Sequence, residues 1–584
     1  MAERQALIFN NFTAGEWSPR LDGRVDQAKY YNSAIIIENA IVHPHGGATK
    51  RGGSYFIAYA KHSNRNVRLD TFEFNEDQAY GLEWGHQYLR FLYGGAQLVT
   101  SVGGSTPYEL ASPYTEDQIP KIRFAHSADI TYISHTEVAP YKLARYGHTA
   151  WTLSPVTLVS APTIWTAGNY PGVTAFYEQR LWFGGTPGEP LTLWGSVSGI
   201  HEDFTTGVTE DLALEFTMAS SRVNQIQWMA DQGRLVVGTL GSEWTGGARS
   251  SLDPMTPTNV LFQQQQTYGS NNIPGLAVGN AVLHVGKYGK KVREFAYRYE
   301  QDSYVSNDLT LLAEHITGPG LTCLAWAQDP DSTLWGIRSD GVACTGTYYP
   351  SEKVMSWQRQ ITAGEFLSAT SIPGEAQDDV YVAVRRHIGG ATVICLERMA
   401  PYDAASPAAA HHVDCGLSYS GSTPLASLGG AVHLAGETVS VQADGAVHPP
   451  VVVTSGGTIN LNYAANEVHA GLPFRMKIKT HAIESTTQDG TAQGKLKRIY
   501  SAILRLYKSM GIKLGFDDDE STWQTVSFRT SDDPMDSAVP LFTGDKRIPE
   551  RSAYDRKGSI LIVSDSPQPV TVQAVILGVE IGDM

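Results

Sequence analysis

A short apolar strand preceded by a polar turn recurs six times along the middle of this chain, at a spacing of about 50 residues. The strands are Ile130-Thr131-Tyr132-Ile133, Leu181-Trp182-Phe183, Leu235-Val236-Val237, Val282-Leu283-His284-Val285, Leu334-Trp335-Gly336-Ile337 and Val380-Tyr381-Val382-Ala383. The turns before them include Ser127-Ala128-Asp129, Glu178-Gln179-Arg180, Asp231-Gln232-Gly233 and Gln377-Asp378-Asp379. A further apolar segment follows each strand, such as Leu191-Thr192-Leu193-Trp194 or Val393-Ile394-Cys395-Leu396. One such unit cannot bury both faces of its small sheet, whereas a ring of them can. The spacing therefore predicts an all-β chain. Its centre is a roughly six-bladed β-propeller, with room for irregularity, over residues 119–400. That architecture names no function, because propellers carry many.

The flanks are also β in character. Residues 1–118 read as an N-terminal β platform domain, with strands at Ile35 to Val42 and Ser54 to Ala60 joined through His43-Pro44-His45-Gly46-Gly47. Residues 401–484 read as a linker, Ala404 to Ala410, and a small β-module with Asp444-Gly445 as its tightest turn. Residues 485–584 read as a C-terminal β-domain; Thr486 to Gly494 is a polar loop, and Ile499 to Leu506 is taken as a strand because its surroundings are β. Two helices are expected. A short one lies within Asp26 to Ser33, and another is capped by Asn307-Asp308, carried by Leu309, Leu312, Ala313 and Ile316, and stopped at Gly318.

With 584 residues, 42% of them hydrophobic, the chain can fill several cores, and its 57 glycines and 29 prolines suit short strands better than long helices. The formal charge of −15 argues against tight general nucleic-acid binding, which needs clustered Lys and Arg on phosphates. Cys323, Cys344, Cys395 and Cys415 show no CxxC spacing, so buried free thiols are expected in a protein made in a cytoplasm. Met1 to Phe12 has no apolar segment of the secretory kind, and no run is long enough for a transmembrane helix.

Candidate chemistry is sparse. His43 and His45 flank Pro44 in a turn, where solvated histidines are the ordinary reading. His411-His412 with Asp414 and Cys415 offers ligand types without a standard zinc or iron spacing. Asp517-Asp518-Asp519-Glu520 lacks the alternation and glycine of a calcium loop and reads as a solvated hairpin tip. No G-x-S-x-G elbow or GxxxxGK[ST] loop occurs. No catalytic residue, cofactor or metal is expected, and the chain is read as a non-enzyme.

The opening block resembles the nozzle proteins of short-tailed bacteriophages, also called tail tubular protein B. The likeness is carried by Phe12, Gly15-Glu16, Ser18-Pro19, Arg24-Val25-Asp26, Tyr30, Asn39, Gly46-Gly47 and Arg51-Gly52-Gly53, in that order. It continues through Ala128-Asp129-Ile130, Pro140 to Arg145, Trp151, Arg180-Leu181, Trp194-Gly195-Ser196, Tyr268-Gly269-Ser270 and Lys291 to Glu294, and on to Glu397-Arg398-Met399 and Leu541 to Asp545. Each piece is short; the ordered set is what is specific.

The resemblance implies a structural virion protein at the distal end of a short tail. It would be a homohexamer below a tail adaptor of the tail tubular protein A type, with tail fibres or spikes outside. Such a ring closes the tail and conducts double-stranded DNA during ejection, without sequence-specific binding. Six copies would carry 6 × −15 = −90 formal charges, and a duct that must release DNA should be lined by Asp, Glu, Ser, Thr, Asn and Gln rather than by Lys and Arg. Arg24, Asp26 and Arg51 are the candidate structural residues, holding the block against the propeller or a neighbouring subunit, or else ordinary surface pairs. Two rival readings stand beside this one. A carbohydrate-active propeller enzyme of the virion would need two facing carboxylates. A receptor-binding or other soluble propeller module would need one central ligand pocket.

Overall fold

The computed structural model describes residues 3–582 apart from 76–77, 102, 251–252, 404–405, 485, 488–489, 536 and 549–551. The start of the expected linker (Ala404, Ala405) and part of the expected polar loop (488–489) lie outside the described residues. The chain is β throughout and its centre is a propeller. Five consecutive stretches each fold into a four-stranded antiparallel meander, with first strands Arg123–Ser127, Val173–Tyr177, Ile226–Asp231, Leu276–Val278 and Leu321–Ala327. The recurring apolar segments are the second strands, fully buried in most blades because neighbouring sheets cover both faces.

The ring holds seven blades, one more than the repeats suggest. The additional blade is built from Arg68–Asn75, Gln78–Gly85 and Tyr88–Tyr93, whose outer edge pairs with two short strands, Ala96–Gln97 and Glu109–Ala111. The last blade takes Glu365–Ile372, Asp379–Ile388 and Ala391–Met399 in sequence, then draws its outermost strand, Ser54–Tyr59, from the N-terminal block. The strand Glu365–Ile372 packs on Arg68–Asn75, so the first and last blades meet and the ring closes.

Pairing redraws the boundaries expected at residues 118, 400 and 484. The N-terminal block is not a separate domain. Glu3–Phe9 and Ala48–Lys50 pair with Thr571–Ile581, while Ser33–Glu38 pairs with Met476–Thr480. One apolar core accordingly mixes Phe9, Phe12, Ile37 and Val42 with Ile478, Leu504, Ile562 and Leu577. Both ends of the chain thus build a single platform. The small module, Asp414–Leu428, Thr438–Ala443, Ala446–Val452 and Ile459–Leu472, shares its core with the closing blade, whose Ile388, Cys395 and Phe56 pack with Val441, Ile459 and Val468. It joins the closing blade at Gly416 beside Tyr55. Platform and propeller are likewise fused through one bridge, Glu38 beside Arg359.

Ile499 to Leu506 lies in the strand Lys497–Ser509, and Asp444 and Gly445 take φ values of 49° and 79° in the tight turn of the module. The acidic run Asp517 to Glu520 lies between the paired strands Lys513–Gly515 and Gln524–Thr525, with Asp518 held by Lys479. The helix expected after Asn307-Asp308 shrinks to the single turn Glu314–Thr317. Asp308 instead ends the strand Ser303–Asp308, and its carboxylate accepts from the Thr310 amide at 2.9 Å, while Leu309 and Ile316 fill a core between blades. The helix expected near Asp26 is only the 3-10 turn Tyr30–Asn32.

Candidate functional site

Three bodies meet where the N-terminal block enters the closing blade, and Arg51 stands at that junction, 1% exposed. Its guanidinium grips Asp414 with two bonds of 2.7 Å, Nη1 to Oδ1 and Nη2 to Oδ2. The remaining N–H groups donate to Asn39 Oδ1 (3.1 Å), the Gly52 carbonyl (2.9 Å) and the Ile361 carbonyl (3.1 Å), so all five donors are used. Its flat face lies 3.8 Å from the centre of the Phe474 ring. One side chain thereby ties the module (Asp414), the loop between the last two blades (Ile361) and the platform (Phe474). Burial pushes the Asp414 carboxyl upward, but the charge and hydrogen bonds of Arg51 outweigh it and leave the pKa lowered.

The backbone next to Arg51 requires glycine. A Cβ on Gly52 would sit 1.9 Å from the Ala400 carbonyl oxygen, and one on Gly53 would sit 1.9 Å from that of Val413. Asn39 has φ 55°, in the left-handed region that asparagine tolerates, and its amide bridges three segments. Oδ1 accepts from Arg51 and from the Ile361 amide (2.7 Å), and Nδ2 donates to the Arg475 carbonyl (2.8 Å).

A second buried ion pair continues the network. Arg386 donates Nε to Glu397 Oε1 (2.6 Å) and Nη2 to Oε2 (2.7 Å), with both side chains essentially sealed from solvent. Burial works to lower the Arg386 pKa, yet Glu397 leaves it raised. The Thr362 hydroxyl links the two pairs: it accepts from Arg386 at 3.0 Å and donates to Asp414 at 2.7 Å. Ser54 Oγ donates to Glu397 at 2.5 Å and accepts from the Cys415 amide at 2.9 Å. A third node lies at Glu16, which accepts from the Ile37 amide at 2.7 Å and from Arg359 Nη2 at 3.2 Å and meets His315 Nε2 at 2.8 Å.

Of the three residues singled out in the sequence, only Arg51 lies in this network. Arg24 and Asp26 close on each other through two 2.7 Å bonds at the surface, with both side chains more than half exposed. Hydrogen bonding from Arg24 holds the Asp26 pKa down at about 2. Asp414, Thr362, Arg386 and Arg359 were not legible as partners, because their separation in sequence from Arg51 and Glu16 hides the contact. Glu16, Asn39 and Glu397 carried a signal, since each stands within the ordered set of motif residues.

The other candidate ligands are dispersed. His43 spends both ring nitrogens on Asp331 and Thr49, each at 2.6 Å, and does not join His45. His412 turns Nδ1 to the Arg51 carbonyl at 2.9 Å, while His411 points the other way, toward His469. Cys395, Glu397 and Cys415 do bring ligand atoms within 4.8 Å of one another. That set does not fit a cation. Both Glu397 oxygens are held by Arg386, and burial pushes the Cys415 thiol well above its usual pKa. In the 570 Å³ cavity between the inner strands, the lining carboxylates Asp70 and Glu365 are paired with Arg68 and Arg385 at 2.7 Å.

Comparison with known proteins gives fold-level likeness only. No family model matches the sequence, and no curated protein matches it. Among solved structures, the Neurospora crassa Pan2 WD40 domain aligns at 12% identity and TM-score 0.35, covering 59% of this chain and 91% of that one. The RRP9 WD40 repeats align at 8% identity and TM-score 0.38, covering 60% and 100%. The C-terminal WD40 domain of Sif2 aligns at 10% identity and TM-score 0.33, covering 60% and 99%.

Proposed function

We propose that this chain is a structural subunit of a bacteriophage virion: the nozzle of a short tail, assembled as a homohexamer beneath the tail adaptor. The observation that carries this reading is where the motif residues fall. Glu16, Ser18, Asn39, the Arg51-Gly52-Gly53 run and Glu397 are scattered through the sequence. In the fold they all serve the joints between propeller, module and platform. Ser18, for instance, donates to Glu314 at 2.8 Å across the platform–propeller seam. Motif residues that join bodies fit a part whose task is mechanical.

On this reading the platform and propeller move as one unit, and six such units bound the conduit for double-stranded DNA. The −15 charge per chain then favours passage over adhesion. Tail fibres or spikes would attach on the outer face. The deciding experiment images particles from the source lysate after labelling with gold-conjugated antibody to this chain. Label at the distal end of a short tail is the expected result; bare particles with label only on free protein would overturn the proposal.

A further inference from the structure

We infer that the loops 219–225, 240–242, 267–275 and 286–291 form a docking surface for an anionic lipid bilayer. They belong to the two neighbouring blades whose first strands are Ile226–Asp231 and Leu276–Val278. In an antiparallel meander every second connection falls at the same end, which brings the four loops together. They are also tied side to side. The Leu240 amide donates to the Gln225 carbonyl at 3.0 Å, and the Lys287 amide to the Gly269 carbonyl at 3.1 Å. Gly269, with φ 78°, lets the third loop lie against the second: a Cβ there would sit 2.3 Å from the Leu240 carbonyl oxygen.

Each loop puts one large apolar or aromatic side chain into solvent: Val223 is 77% exposed, Leu240 38%, Tyr268 54% and Tyr288 80%. Arg222, Lys287 and Lys290 stand exposed among them, with no carboxylate partner among the described residues. Lys291, at the edge of the fourth loop, is paired with Asp308 instead. The four loops contain no Asp or Glu, although the chain has 59. The Tyr268 ring is fixed from below by Arg293, whose guanidinium lies 3.5 Å from the ring centre and donates to Ser306 at 2.8 and 2.7 Å. Nucleic acid would use the cations but leave Val223 and Leu240 in water. The headgroup zone of an anionic bilayer takes both: tyrosine and aliphatic tips enter it, while Lys and Arg meet the lipid phosphates. A chain of charge −15 is repelled by such a surface wherever its carboxylates lead, so the acid-free end is the one that can approach. The protein would lie on the membrane, and this contact does not depend on the nozzle reading.

The test mixes the purified chain with phosphatidylcholine vesicles, with or without about one-third phosphatidylglycerol, and measures the fraction that floats with the lipid. Wild type is expected to float with the anionic vesicles and to be released as salt rises to about 1 M, where the screening length falls to about 3 Å. Lys287→Ala and Lys290→Ala should each weaken partition about fivefold, and Tyr288→Ser about tenfold. All three side chains are exposed, so the variants should keep the wild-type unfolding midpoint. Tyr146→Ser, exposed on another blade, should bind as wild type does. No binding to anionic vesicles, equal binding to both compositions, or wild-type binding by Tyr288→Ser overturns the inference. Capture of a double-stranded DNA fragment in place of vesicles, or self-association in place of vesicle binding, would give the face to nucleic acid or to a second copy and overturn it as well.

Discussion

Removing the Arg51 guanidinium while keeping its apolar stem, as in Arg51→Met, isolates the contribution of the junction. Asp414 would lose two of its three side-chain donors and keep only Thr362. A carboxylate this buried, left without its cation, costs about 3–5 kcal/mol. Methionine can still lie on Phe474, so little of that loss comes from packing. The penalty should appear locally, because the amides of Gly53 and Ser54 donate to the His411 and Val413 carbonyls across the same seam, at 2.7 and 2.9 Å. Hydrogen exchange at these amides should accelerate roughly 10²- to 10⁴-fold. Arg51→Lys keeps the charge but not the fork, and should fall between. The pH dependence has a defined sign. In wild type the Asp414 pKa is lowered, so its stabilisation is present above the unfolded value and lost as pH falls through the folded one. In Arg51→Met burial raises that pKa instead, and the defect should shrink on acidification as the carboxyl takes a proton. Wild-type exchange rates at both amides in a folded Arg51→Met protein would refute the claim that this pair holds the seam.

Three further outcomes are expected. Gly53→Ala drives a Cβ against the Val413 carbonyl and should cost about 3 kcal/mol or more, whereas Gly429→Ala, with open space around it, should leave urea midpoints unchanged. Lys50 is sealed from solvent, and burial, followed by the nearby Arg51 charge, depresses its pKa to about 7. Between that value and 10.5 the unfolded chain binds more protons, so stability rises with pH. Lys50→Met should therefore stabilise the protein at pH 6, with the gain fading as pH climbs through this window; a gain independent of pH would contradict it. Arg24→Ala, which touches only an exposed pair, should leave the thermal midpoint of the isolated chain where it is, and a clear drop by scanning fluorimetry would show that the pair is not merely local.

The propeller was legible because six of its second strands are apolar runs after polar turns. The seventh is masked in the sequence although Asn75-Glu76-Asp77-Gln78 precedes Ala79-Tyr80-Gly81-Leu82-Glu83-Trp84. Gly81 and Glu83 interrupt that run, and burial of Glu83, which pushes its pKa to about 7, is tolerated through the Tyr88 hydroxyl at 2.6 Å. The helix periodicity of Leu309, Ala313 and Ile316 is real, but it serves turns and the single helical turn Glu314–Thr317, which fill a core between blades. The merging of both chain ends into one platform had no local signal, since strand pairing depends on partners hundreds of residues away. For the same reason Arg24 and Arg51 look alike in sequence, and only the fold separates a surface pair from a junction.

The borrowed outer strand of the last blade has a temporal consequence. Ser54 leaves the ribosome early, yet its partner Glu397 lies 343 residues further along. At ordinary synthesis rates the wait is roughly 17–70 s, during which Ser54–Tyr59 presents an unpaired edge. Early blades can form meanwhile, but the circle cannot shut until the final one arrives. A nascent chain stalled before residue 391 should accordingly remain chaperone-bound and protease-sensitive near its beginning, and release should coincide with emergence of the strand Ala391–Met399.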